Sequence, residues 1–286
     1  VDVLISASEL ADRLTDVRLL DVRWTVMAPD GRAAYLAGHL PGAVFVDLDA
    51  DLADHSATGR GRHPLPTPQA LQANARRWGL NAGDAVVVYD DWNGQAAARA
   101  WWLLRAAGVS NVRILDGGWA AWQRSGGPVA TGEVAPAAGD ITITSLHGLA
   151  AVDADAVAAQ AQSPDNLVFD ARTGARYRGD EEPLDPRAGH IPGAVSAPTA
   201  ENLTADGTFK PVAELRERFE KLGAGAAPVT VYCGSGVTAT HQIAALAIAG
   251  YDAALYPGSW SEWSSDPQRP SRRGPTRPRA VRLPAR

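Results

Sequence analysis

Residues 229–250, VTVYCGSGVTATHQIAALAIAG, set the single cysteine of this 286-residue chain in a glycine-rich turn. Val229, Val231 and Tyr232 have the character of a short buried strand. Thr238 to Ala249 form the alanine-rich pattern of a helix that Gly250 ends, because glycine tolerates the left-handed position after a last turn. Cys233 therefore falls on a strand-to-helix loop. Such a loop gathers unpaired N–H groups and the positive end of the helix dipole, and both favour an anion. Gly234 and Gly236 let the backbone curl around the sulfur without Cβ clashes. The plain alternative for a lone cysteine is a buried structural role. The surrounding CGSGVT argues instead for a reactive thiolate.

Working outward, much of the chain occurs twice. AGHLPGAVFVDLDADL from Ala37 returns as AGHIPGAVSAPTAENL from Ala188, VVVYDDWNG from Val86 as VTVYCGSGV from Val229, and GGWAAW from Gly117 as GSWSEW from Gly258. The order is kept at a spacing of about 140 to 150 residues, far longer than a solenoid period, so a whole domain is duplicated. The spacing predicts one domain over 1–124, a linker rich in Gly, Pro and Ala over 125–140, a second domain over 141–270, and a basic tail over 271–286 with no apolar periodicity, expected to be disordered. Within each copy, short β-branched runs alternate with longer helical patterns, as VRLLDVRW, AVVVYD and QAAARAWWLLRAAG do in the first. That alternation predicts an α/β fold: two tandem domains, each a mainly parallel sheet with helices on both faces, with ligands at the carboxyl ends of the strands. Cys233 stands at one such end. Pairing Tyr89 with Tyr232 puts Asp90 opposite Cys233, so the first copy has no thiol and the pair shares one active site.

Composition narrows the classes. A formal net charge of -5 gives no basic footprint for nucleic acid, and no apolar run reaches membrane-spanning length. One cysteine excludes an intrachain disulfide, and the N-terminal VDVLISASELADRL has neither the basic nor the apolar region of a leader, so the chain reads as cytoplasmic. The six histidines are dispersed and no Cys-x-x-Cys pair occurs, so neither a metal nor another cofactor is expected. His39 and His190 recur in the two Gly-His-x-Pro-Gly turns and read as structural. The tryptophans of ARAWWLLRAAG read as core or interdomain packing.

The paired GHLPGA and GHIPGA, the cysteine loop and the GGW and GSW turns together resemble the tandem-domain rhodanese-like sulfurtransferases, over roughly residues 1–270. Within that family CGSGVTA, Cys233 to Ala239, looks like the 3-mercaptopyruvate sulfurtransferases; thiosulfate sulfurtransferases usually carry two basic side chains where Gly234 and Ser235 stand. A cysteine phosphatase would need an arginine where Ala239 stands. The resemblance implies that Cys233 takes sulfur as a persulfide and that Gly234, Gly236, Val237 and Thr238 shape the substrate loop. It places Arg176 and Arg187 at the two arginines that grip the keto acid, a task to which the forked guanidinium is suited. It also matches Asp49, His63 and Ser235 to a proton relay resembling a Ser-His-Asp arrangement, with His55 a nearby competitor for the histidine. With no second thiol in the chain, the acceptor is external: a small thiol, a thioredoxin-like protein or cyanide. Two alternatives stand beside this reading, thiosulfate as donor and a non-enzymatic persulfide carrier or interaction module.

Overall fold

The computed structural model describes residues 2–225 and 227–275. The first copy forms a five-stranded sheet from β1 (Leu4–Ile5), β2 (Arg18–Asp21), β3 (Val44–Phe45), β4 (Val86–Tyr89) and β5 (Val112–Leu115), in the order β1-β5-β4-β2-β3. The second forms a four-stranded sheet from β6 (Leu167–Asp170), β7 (Val195–Ser196), β8 (Val229–Tyr232) and β9 (Ala253–Leu255), in the order β7-β6-β8-β9. Every strand pair in both sheets is parallel. The counterpart of β1 in the second sheet is reduced to a single parallel bridge, Ala151 to Leu255.

Both faces of each sheet are buried, which is why the strands read as unbroken apolar runs. Successive side chains point to opposite faces. In β4, Val87 and Tyr89 join an outer core with Ile5, Leu115 and Trp122, while Val86 and Val88 face an inner core. In β8, Tyr232 joins an outer core with Trp260 and Trp263, while Val229 and Val231 face the same inner core. The inner core is shared. The helices Ala97–Ala106 and Thr238–Ala249, each the segment following a central strand, pack against one another in it, with Trp101 and Trp102 buried. A helix that is apolar all round has no face to offer water, and these two meet that condition by sitting between the sheets. The carboxyl ends of β4 and β8 are thereby brought to one cleft.

The expected linker lies along the first domain rather than free of it. His39 and Ala130 exchange backbone hydrogen bonds at 2.9 Å, the Gly132 N–H reaches the Leu36 carbonyl, and the Gly139 N–H reaches that of Arg76. The tail repeats the arrangement. His190 pairs with Arg272, and the indoles of Trp122 and Trp263 donate to Pro128 and Pro270 at 2.9 and 2.8 Å. Residues 271–275 are thus bonded into the second domain, correcting the expectation of disorder there; residues 276–286 lie outside the described residues.

Candidate active site

Cys233 follows β8 directly and is 1% exposed, at the floor of a cavity of about 260 Å³. Gly234, Ser235, Val237 and Thr238 line that cavity with it. Gly236 faces away: its N–H donates to Cys233 Sγ at 3.2 Å, and at φ +78° a Cβ here would lie 2.4 Å from the Pro257 carbonyl oxygen. Only glycine fits. The N–H groups of Gly234, Ser235 and Val237 take no acceptor among the described residues, so the turn presents donors around the sulfur. From below, Ser259 Oγ accepts the Cys233 N–H at 3.1 Å and donates to the Tyr256 carbonyl. Ser259 holds a left-handed φ of 54°, the same value as its counterpart Gly118, so the second copy accepts backbone strain and gains a hydroxyl under its cysteine.

Arg176 stands on the short helix Gly174–Arg178, which Thr173 caps and left-handed Gly179 ends. It lines the cavity, yet its Nη2 also bonds Glu182 at 2.6 Å and Asp185 at 3.0 Å. Arg187 is a correction. Its guanidinium donates to the carbonyls of Trp263, Ser264, Asp266 and Arg269, closing the end of the helix Ser259–Ser265, and it does not line the cavity. Four of its five N–H donors are spent on carbonyls that a helix end leaves open, so its plane is fixed there and away from the cavity. Besides Arg176 the cavity is lined by Arg172, which is paired with Asp170, and by Arg62, contributed by the first domain and bonded to Asp185. Its signal in the sequence is its place beside His63 in GRGRHPLP. Gly234 brings no cation of its own, and Arg62 and Arg176 supply charge beside it. A methyl built on Gly234 would lie 3.1 Å from Arg62 Nη2 and 3.3 Å from Arg176 Nη1, so the space a side chain would take there is held by two guanidiniums.

Asp49 and His63 are brought together. The His63 Nε2 lies 3.0 Å from Asp49 Oδ1, and the Trp24 indole donates to Asp49 Oδ2 at 3.0 Å. His55 is more distant, 3.9 Å from the same carboxylate, and over half exposed. The hydrogen bond from His63 is the main cause holding the Asp49 pKa below the usual carboxylate value, and burial is what lowers that of His63. A carboxylate only accepts, so the imidazole proton sits on Nε2 and Nδ1 keeps its lone pair; Nδ1 is buried and has no partner among the described residues. The third member is not joined: no hydrogen bond links Ser235 to His63, which is buried and does not line the cavity.

Arg99 was not foreseen as a site residue. It is fully buried on the interdomain helix and pairs with no carboxylate among the described residues, donating instead to the carbonyls of Leu52, His63 and Gly236. Burial pushes its pKa down to about 10, opposed by attraction to Cys233. One side chain of the first domain thus pins the backbone of both His63 and the cysteine loop. A charged residue in the first turn of a helix whose next five residues are apolar was its signal. His39 and His190 are stacked on Tyr35 and Tyr177 at 4.4 and 3.7 Å and bonded to backbone carbonyls, a structural arrangement common to both copies.

The Rhodanese-like domain family matches residues 6–125 and 153–266. The chain belongs to this family, with two domains in tandem, and its class is that of the sulfurtransferases. It is 52% identical to a Mycobacterium tuberculosis protein named "Putative thiosulfate sulfurtransferase SseB", over 95% of this chain and 97% of the other. It is 44% identical to the "Probable 3-mercaptopyruvate sulfurtransferase" of Pseudomonas aeruginosa, over 93% and 96%. The crystal structure of SseA from Escherichia coli, described as a 3-mercaptopyruvate sulfotransferase, superposes with a TM-score of 0.81 at 35% identity, covering 91% of this chain and all of that one. Among the described residues no helix is long and apolar enough to cross a membrane.

Proposed function

We propose that the chain takes sulfur from 3-mercaptopyruvate onto Cys233, releases pyruvate, and passes the sulfur to an external acceptor thiol. The observation that carries this reading is the pair of guanidiniums, Arg62 and Arg176, over Gly234 beside Cys233. Their planar forks suit the carboxylate and ketone oxygens of a keto acid. With those oxygens held, the donor's sulfur is directed at Sγ.

The Cys233 thiolate attacks the sulfur of the donor, forming an S–S bond as the carbon–sulfur bond breaks. Its electron pair moves into the ketone to give an enolate, which gains a proton at carbon and becomes pyruvate. The donor thiol loses a proton and the enolate gains one, so a single relay balances both. Asp49 orients His63 and leaves Nδ1 as the base, and Ser235 is the group from which a proton reaches the cavity. A rotation that brings Ser235 Oγ to His63 Nδ1 is part of this proposal. An acceptor thiolate then attacks the outer sulfur and restores Cys233.

Thiosulfate as donor remains the competing reading, favoured by the name of the Mycobacterium tuberculosis relative. Steady-state assays of pyruvate release from mercaptopyruvate, set beside sulfite release from thiosulfate, decide between them. The proposal expects kcat/KM to favour mercaptopyruvate by roughly two orders of magnitude; a preference for thiosulfate overturns it.

A further inference from the structure

We propose that Asp185, with Glu182, sets the charge of the donor pocket and makes it discriminate against doubly charged donors. This rests on the keto-acid reading above. Asp185 is 2% exposed at its side chain and Glu182 4%, so neither faces bulk water. Asp185 bridges the two domains, one oxygen taking Arg62 and the other Arg176 at 3.0 Å. Glu182 takes Arg176 at 2.6 Å and Arg172 at 3.2 Å, and Arg172 is already paired with buried Asp170 at 2.6 Å. The cavity's arginines, 62, 172 and 176, therefore stand against three carboxylates and leave little net charge for a ligand to meet. The turn is built to hold this. Glu182 Oε1 accepts the N–H groups of Leu184 and Asp185 at 3.2 Å each.

Arg62 and Arg176 nevertheless each keep a buried Nε–H without a partner among the described residues. The Nη groups that both arginines hold over Gly234 offer directional donors to one planar carboxylate, while the paired carboxylates leave little long-range attraction to charge as such. Electrostatic free energy scales with the charge of the ligand, so each buried carboxylate penalises a dianion twice as much as a monoanion. Mercaptopyruvate with its thiol protonated carries one charge and thiosulfate two. Removing one carboxylate charge should multiply the affinity for a monoanion by some factor and that for a dianion by its square. The ratio between donors therefore shifts by that factor, whatever its starting value.

The test compares wild type with Asp185→Asn and Glu182→Gln. For each, kcat/KM is measured with mercaptopyruvate and with thiosulfate at one pH and ionic strength, together with inhibition by sulfate and by pyruvate. The expected result is a shift of about tenfold or more in the donor ratio toward thiosulfate, with sulfate inhibition strengthened over pyruvate inhibition in step. Both donors falling by the same factor, with the inhibitor ratio unchanged, would show that Asp185 only shapes the arginines and would overturn the proposal. Glu182→Gln carries the same expectation if Asp185→Asn does not fold. A wild type that prefers thiosulfate would overturn the keto-acid reading, and the shift between wild type and variant would still decide the role of Asp185.

Discussion

The loops after β4 and β8 are the same turn put to opposite uses. In the first copy Asp90 stands where the second has Cys233, and its carboxylate accepts the N–H groups of Trp92, Gly94, Ala96 and Ala97, each at 2.8 Å. The anion cradle is permanently filled by a side chain of its own. Burial raises the Asp90 pKa, and the four hydrogen bonds oppose that rise. In the second copy the side chain is a thiol that accepts one N–H, and the rest of the turn opens onto a cavity. A cradle closed by its own carboxylate adds stability; one left open for a ligand can do chemistry. The division extends further, since the domain without a thiol supplies Arg62 to the cavity that Cys233 lines and Arg99 to the backbone of the cysteine loop, and holds the His63–Asp49 pair.

The sharpest way to break this comparison is at the nucleophile. Cys233→Ser should remove turnover with every donor while leaving thermal unfolding near that of wild type, because an oxygen at this position cannot carry the sulfur as a persulfide; appreciable serine-variant activity would contradict the assignment. Next in size is the relay. His63→Ala should lower kcat by about 100- to 10,000-fold with little change in KM, whereas Arg176→Ala should act mainly through KM. Full saturation curves for both variants separate the two patterns. At Asp90, replacement by Ala strands several buried donors and should cost about 3 kcal/mol in denaturant unfolding.

The smallest effect concerns pH. His63 is lowered by burial, so its base form should persist below the usual histidine value of about 6.5, and the acid limb of kcat/KM should lie under that value. Fully buried His241, stacked on Phe209 and bonded to Thr199, is pushed down to about 3. A depressed folded pKa means that the unfolded chain binds more protons, so this contribution is complete above 6.5 and is lost as pH falls toward 3. Asp21, raised to about 6 by burial, works in the opposite direction. Comparing the Tm of wild type and His241→Gln from pH 7 to 5 isolates the histidine: the variant's profile should tilt less toward loss at acid pH.

The duplication, the parallel sheets and the cysteine loop were legible because they depend on local pattern: β-branched runs, an alanine-rich helix, and glycines where φ must be positive. The resemblance also pointed to His63 and Asp49, and the fold places their side chains 3.0 Å apart, though not with Ser235. What escaped depends on contacts across the chain. Arg187 and Arg62 are both arginines near a motif, and only the fold shows that helix-end carbonyls claim the first while the cavity receives the second. Linker and tail looked unlike one another in composition. The linker around Ala130 and the described start of the tail around Arg272 are the same element, a strap on the Gly-His-x-Pro-Gly turn made by backbone hydrogen bonds, which many sequences can supply.

The most direct test of the account is intact and peptide mass analysis of the wild-type protein after brief exposure to mercaptopyruvate without acceptor, with pyruvate counted in parallel. The account predicts one added sulfur, located on the peptide that contains Cys233, one pyruvate for each sulfur gained, and loss of that sulfur when a thiol is supplied. A chain that releases pyruvate without gaining sulfur, or gains it only from thiosulfate, would contradict it.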